Sequence, residues 1–148
     1  MSFFRKAYSV VGVILMLEYF AQFFLIATAI FTIEEANDNA QSIYAAFKNA
    51  DTFAGLHFLN GVFVIGITTL VLVACAALAR LPGRTVGLTA LLFVLLAVQF
   101  VLGSIPVPLV SGLHGLNALI MVGLAGALTG RNWAWRRGAQ ATTSATGQ

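Results

Sequence analysis

Three features of the sequence predict an all-α membrane protein: four long apolar runs, an internal repeat that carries both histidines, and seven of the eight basic residues on one side of the predicted topology. The expected architecture is a four-transmembrane-helix antiparallel bundle built from two repeated helical hairpins, with both termini cytoplasmic. Of 148 residues, 59% are hydrophobic and only 9% are charged, and mean hydropathy is +0.92. A soluble domain of this size must show more polar surface to water. Cys75 is the single cysteine, so no internal disulfide can form. The formal net charge of +3 comes without a basic patch interleaved with aromatics, so no nucleic-acid partner is indicated. Membrane lipid is the expected surrounding.

The apolar runs cover roughly 8–33, 53–79, 86–105 and 108–129. Each reaches the about 20 residues that a helix needs to cross hydrocarbon. Arg5 and Lys6 precede the first run as they would a cleavable signal. That run is too long for a signal, contains Glu18 and Gln22, and lacks a small-residue cleavage site, so it is read as a spanning helix. Residues 1–137 form the predicted transmembrane domain. The small, polar stretch 138–148 is expected to be a disordered tail.

Charge fixes the expected orientation. Arg5, Lys6, Arg80, Arg84, Arg131, Arg136 and Arg137 fall on one side of the predicted topology. Glu34, Glu35, Asp38 and Asp51 fall on the other, with Lys48. The positive-inside rule places the basic side, and both termini, in the cytoplasm. The expectation is a multi-pass protein of the cytoplasmic (inner) membrane of a prokaryote. Trp133 and Trp135 suit an interfacial belt.

Leu81-Pro82-Gly83 predicts a tight turn between helices two and three. The outer link 34–52 is longer. Ile43, Tyr44 and Phe47 are spaced there as a short amphipathic helix lying on the outer surface. In the second outer link, Pro108 suits the first position of helix four.

The repeat carries the chemistry. Gly55-Leu56-His57-Phe58-Leu59-Asn60 is echoed by Gly112-Leu113-His114-Gly115-Leu116-Asn117. The register continues with Gly61 against Ala118 and Gly66 against Gly123, and Gln22-Phe23 in helix one matches Gln99-Phe100 in helix three. Both histidines therefore sit at one depth, about one turn below the outer interface. A membrane-buried imidazole needs partners for its nitrogens. The bland reading is that such a histidine bonds helix to helix and that nearby small residues are packing contacts.

Two histidines in one repeated frame point instead to a heme. Each Nε2 would ligate the iron of one low-spin, bis-histidine heme b, and each Nδ1–H would donate to a carbonyl one turn back, near Phe53 or Val110. Gly55, Gly61, Gly112 and Gly115 would leave room for a flat macrocycle. Asn60 and Asn117 would bond the ring edge or each other. Gln22 and Gln99 would bridge helices symmetrically, or point at the heme edge or a quinone head. Lys48, Asn49, Thr52, Ser104 and Ser111 are the available donors for propionates. Zinc fits less well, since two ligands fall short of three or four.

The stretch Gln99-Phe-Val-Leu-Gly103, a Pro-containing outer link, and Leu113-His114 leading into a Leu/Ala-rich helix resembles the third and fourth helices of a heme A synthase half. The resemblance covers most of the chain as one four-helix half and implies histidines on helices two and four binding heme near the outer face. That family carries a Glu three residues before the ligand and an Arg directly after it. Ala54 and Phe58 stand at those places here, and Gly115 follows His114. The resemblance thus implies a b-type heme site at His57 and His114 without the hydroxylation chemistry.

These residues give the expected role: a heme b-binding subunit passing single electrons near the outer membrane face, beside a larger redox partner or complex subunits. With no soluble catalytic domain and no acid–base pair, the chain is not expected to be an enzyme alone. Two other classes stay open. One is a heme-free structural or assembly subunit. The other is a quinone-site or transport protein using Glu18, Gln22 and Gln99, where Glu18 is either a proton relay or a protonated, hydrogen-bonded side chain.

Overall fold

The computed structural model describes residues 3–135. Arg136, Arg137 and the expected disordered tail 138–148 lie outside the described residues. The protein is all-α, with four helices long and apolar enough to cross a membrane. They are α1 (Phe3–Asp38), α2 (Ile43–Leu78), α3 (Gly83–Ser104) and α4 (Pro108–Arg131). Pro108 opens α4 as expected, where its missing N–H leaves no bond unmade.

The first two helices are longer than the apolar runs alone suggest. Each has 36 residues, about 54 Å at 1.5 Å per residue. The outer link expected over 34–52 shrinks to residues 39–42. The separate surface helix expected at Ile43, Tyr44 and Phe47 is instead the start of α2. The physical reason is local. Ser42 caps α2, its Oγ accepting from the Ala45 N–H at 3.2 Å, and no glycine or proline interrupts 43–54.

Both α1 and α2 end in the same reverse turn. The Gln41 N–H bonds the Ala36 carbonyl and the Ala40 N–H bonds that of Asn37; Leu81 and Arg80 repeat this on Ala76 and Ala77. This double bond pattern needs a left-handed residue at its centre, here Ala40 (φ 54°) and Arg80 (φ 50°) rather than glycine. Gly83, expected within the inner turn, begins α3.

One interruption breaks the regularity. Within α2, Asn60–Ile65 winds as a π-helix, starting three residues after His57. A π turn inserts an extra residue and rotates everything beyond it. The buried stripe records the slip. In α4 it runs Asn117, Met121, Ala125, Leu128; in α2 it runs Gly61, Ile65, Thr69, Leu72, one residue later relative to each histidine. The sequence register of Gly66 with Gly123 is therefore not structural, for Gly66 is buried and Gly123 exposed.

The chain forms two compact units, residues 17–67 and the described residues on either side of them. In the 17–67 unit the buried positions are mostly small: Ala29, Ala36, Ala46 and Ala50. Small residues let two helices approach closely without driving hydrophobic contact, which lipid cannot supply. The other unit packs Leu15, Leu72, Leu92, Leu96, Met121, Ala125 and Leu128. Polar side chains tie it together. The Tyr8 hydroxyl lies 3.1 Å from Thr89 Oγ1, which itself donates to the Thr85 carbonyl. Ser9 Oγ accepts the Ala134 N–H at 2.9 Å, so the segment after α4 is held on α1. Trp133 and Trp135 meet there at a tilt of 44°, centroids 5.0 Å apart.

Candidate functional site

Each hairpin positions its histidine by the same pair of bonds. In the first, His57 Nδ1 lies 3.2 Å from the Gln22 carbonyl, and the Asn60 amide donates to the Glu18 carbonyl at 3.4 Å. In the second, His114 Nδ1 lies 3.0 Å from the Gln99 carbonyl, and the Asn117 amide donates to the Leu95 carbonyl at 2.9 Å. The spacing is identical, with acceptors four residues apart on one helix and donors three apart on the next. The internal repeat is thus a repeat of interhelical hydrogen bonds.

A carbonyl only accepts, so each Nδ1 is the donor, and in the neutral ring the lone pair is then on Nε2. This is the tautomer in which imidazole ligates a metal through Nε2. The partners differ from the expectation. The carbonyls one turn back near Phe53 and Val110 do not serve Nδ1; carbonyls across the hairpin do. A helical carbonyl keeps a second lone pair beyond its own i+4 bond, and close antiparallel packing brings that lone pair to the ring.

Asn60 and Asn117 also bond carbonyls of neighbouring helices. Asn117 is buried and makes a further bond to Gln99 Oε1 at 2.6 Å. The expected symmetry of the two glutamines stops there. Gln22 Oε1 is buried and has no hydrogen-bond partner among the described residues. Tyr19, three residues earlier and 5% exposed, leaves its hydroxyl in the same condition. Ser104, expected as a propionate donor, gives its hydroxyl to the Phe100 carbonyl.

The glycines divide into two kinds. A Cβ at Gly55, Gly112 or Gly115 would meet nothing within 4 Å, and all three glycines are exposed. Gly61 is buried within the π turn. Gly103 has a tighter role that sequence reasoning missed: a Cβ there would stand 3.0 Å from His114 Nδ1. Its only sequence signal was its place four residues after Gln99. The backbone roles of Glu18 and Leu95 had no side-chain signal at all, since the two positions share only a carbonyl. Among the described residues no group of three or more His, Cys, Asp or Glu gathers as a metal site.

Fold and site together define a polytopic all-α membrane protein with two equivalent histidine-bearing hairpins. The model of a family described as a family of unknown function (DUF6220) matches residues 44–105, less than half of the chain but including His57 and Gln99. No curated protein and no solved structure matches the chain.

Proposed function

We propose that this protein is a heme b-binding integral membrane subunit that passes single electrons near the outer face of a prokaryotic cytoplasmic membrane. His57 and His114 would hold its iron, and both termini are cytoplasmic. One observation supports the reading: two Nδ1 donors held on the Gln22 and Gln99 carbonyls, an arrangement that in the neutral ring leaves Nε2 with its lone pair in both repeats. Bound heme supplies a one-electron couple, and bis-imidazole ligation keeps the iron low-spin. The chain's own contribution is to hold each ring orientation and to surround the site with apolar helix.

A reduced-minus-oxidised visible spectrum of the purified protein tests this. A sharp low-spin α band, abolished by His57→Ala and by His114→Ala, is the expected result. A wild-type protein that stays colourless after heme is supplied would overturn it and leave the histidines as helix-to-helix bonds of a structural subunit. A second reading rests on Gln22 Oε1 and the Tyr19 hydroxyl, two buried polar groups on one face of α1. A quinone carbonyl in the membrane would accept from the Tyr19 hydroxyl, and the hydroxyl of the reduced quinol would donate to Gln22 Oε1. Quinone retention that Tyr19→Phe abolishes, in a colourless protein, would favour that reading.

A further inference from the structure

Ser9 gathers three cations at the end of its unit where α1 begins and α4 finishes. Its hydroxyl accepts the Ala134 N–H at 2.9 Å and lies 3.5 Å from the Asn132 carbonyl, so the segment after α4 folds back onto α1. Arg131 immediately precedes that segment. Arg5 and Lys6, four and three residues before Ser9, flank it on the preceding turn. Trp133 and Trp135 meet in the same segment, Trp135 exposed. The Tyr8–Thr89 bond brings the start of α3, and with it Arg80 and Arg84, to this end as well.

The unit supplies no acidic side chain to neutralise these charges. All five aspartates and glutamates of the sequence lie within 17–67, apart from the five described cations Arg5, Lys6, Arg80, Arg84 and Arg131. Glu18, the next acid along α1, stands about 20 Å from Arg5 on the helix axis. The helix dipole does not help Arg5 and Lys6 either, since they lie near the positive end of α1. A role in setting topology asks only that cations lie near this end. It does not ask that two helix ends be tied at one serine beside a pair of indoles.

For a membrane-spanning bundle the lateral neighbour of this corner is lipid, so only the headgroup is open. Lys6 stands at the head of an exposed apolar stripe, Val10, Val13 and Ile14, at spacings of four, seven and eight residues. That is the outline of an amphiphile, with phosphate at the lysine and an acyl chain along the stripe. We infer that Arg5, Lys6 and Arg131, with Trp133 and Trp135, form a site for an anionic phospholipid, selective over zwitterionic lipid. The cations take the phosphate by charge-assisted bonds, and the indoles border it at the level of the interface. The site is independent of heme.

Trp133 and Trp135 are the only tryptophans of the protein, so their fluorescence reports on this corner. Wild type and the His57→Ala/His114→Ala protein are reconstituted in phosphatidylcholine membranes with a minor fraction of brominated phosphatidylglycerol or brominated phosphatidylcholine. Bromine quenches tryptophan on contact. The phosphatidylglycerol is expected to associate about tenfold more strongly than the phosphatidylcholine. Lys6→Gln and Arg131→Gln are each expected to lower that preference about fivefold. Arg131→Lys keeps the charge and should keep the preference, which separates loss of the site from loss of the fold. Arg80→Gln with Arg84→Gln removes two charges from the same end and should change it by less than about twofold. Equal quenching by the two lipids would mean that no site exists. An equal loss in the Arg80→Gln/Arg84→Gln protein would mean a diffuse surface potential. Displacement of the lipid by glycerol 3-phosphate at matched ionic strength would make the occupant a free phosphate. Each of these three results overturns the inference.

Discussion

Gly103 lies directly against His114: a methyl group at the glycine would come 3.0 Å from the ring Nδ1 and 3.1 Å from Cε1. The contact falls where that Nδ1 donates to the Gln99 carbonyl on the same helix as the glycine. The close approach of α3 and α4 and the orientation of the ring are therefore one feature. Gly103→Ala must push the ring or part the helices. An overpacking loss of about 1–3 kcal/mol is expected, read as a lower unfolding midpoint in detergent. Gly87→Ala, where nothing lies within 4 Å, is the control and should be neutral or stabilising.

The Asn117–Gln99 bond invites a double-mutant cycle. Asn117→Leu strands the Gln99 Oε1 in an apolar surrounding and should lose about 1–3 kcal/mol. Gln99→Leu alone should lose less, because the Asn117 amide keeps the Leu95 carbonyl. With both replaced, much of the loss should return, since no polar group is then stranded. Strict additivity of the two losses would mean that the bond contributes nothing.

A second close approach joins α1 to α4. A Cβ on Gly12 would overlap the Thr129 hydroxyl, and the buried Thr129 Oγ1 has no hydrogen-bond partner among the described residues. Threonines in helices usually bond the carbonyl four residues back. Here the oxygen faces the glycine backbone, an approach suited to a weak Cα–H···O contact. Gly12→Ala should therefore destabilise, and Thr129→Ala should relieve most of that loss by opening the space. Unfolding midpoints of the two single variants and the double variant decide the point.

Ala40 sits in the left-handed region at φ 54° with a Cβ that this conformation disfavours. Ala40→Gly should remove roughly 1 kcal/mol of strain, offset in part by the greater freedom of glycine in the unfolded chain. A net rise in stability in denaturant titration is the expected outcome. An unchanged or lower stability would mean that the turn relaxes in solution to another form.

The expectations drawn from residue pattern alone succeeded where the signal was long and periodic. Hydropathy located the four helices, and Pro108 marked the start of α4. Boundaries were less legible at the outer tip. Residues 34–52 read as a link with a short surface helix of its own, yet the two spanning helices continue through most of them, because Ser42 caps α2 and no glycine or proline interrupts 43–54. The repeat pointed to His57, Asn60, His114 and Asn117 as paired groups, and the hairpins hold them by paired bonds. It could not name the acceptors, because those are backbone carbonyls, identical at every position of the chain.

Sequence by itself determined the membrane-spanning class, the helix count and the equivalence of the two histidines. Those follow from apolar length and residue identity, which act locally. Tertiary structure decided which ring nitrogen donates, since Nδ1 is assigned only by a carbonyl on another helix. It also decided that Gly103 is a spacer, and that the π turn at Asn60–Ile65 rotates α2 out of register with its repeat. A one-residue slip in winding leaves no mark on composition or spacing; it shows only in which side chains the neighbouring helices cover.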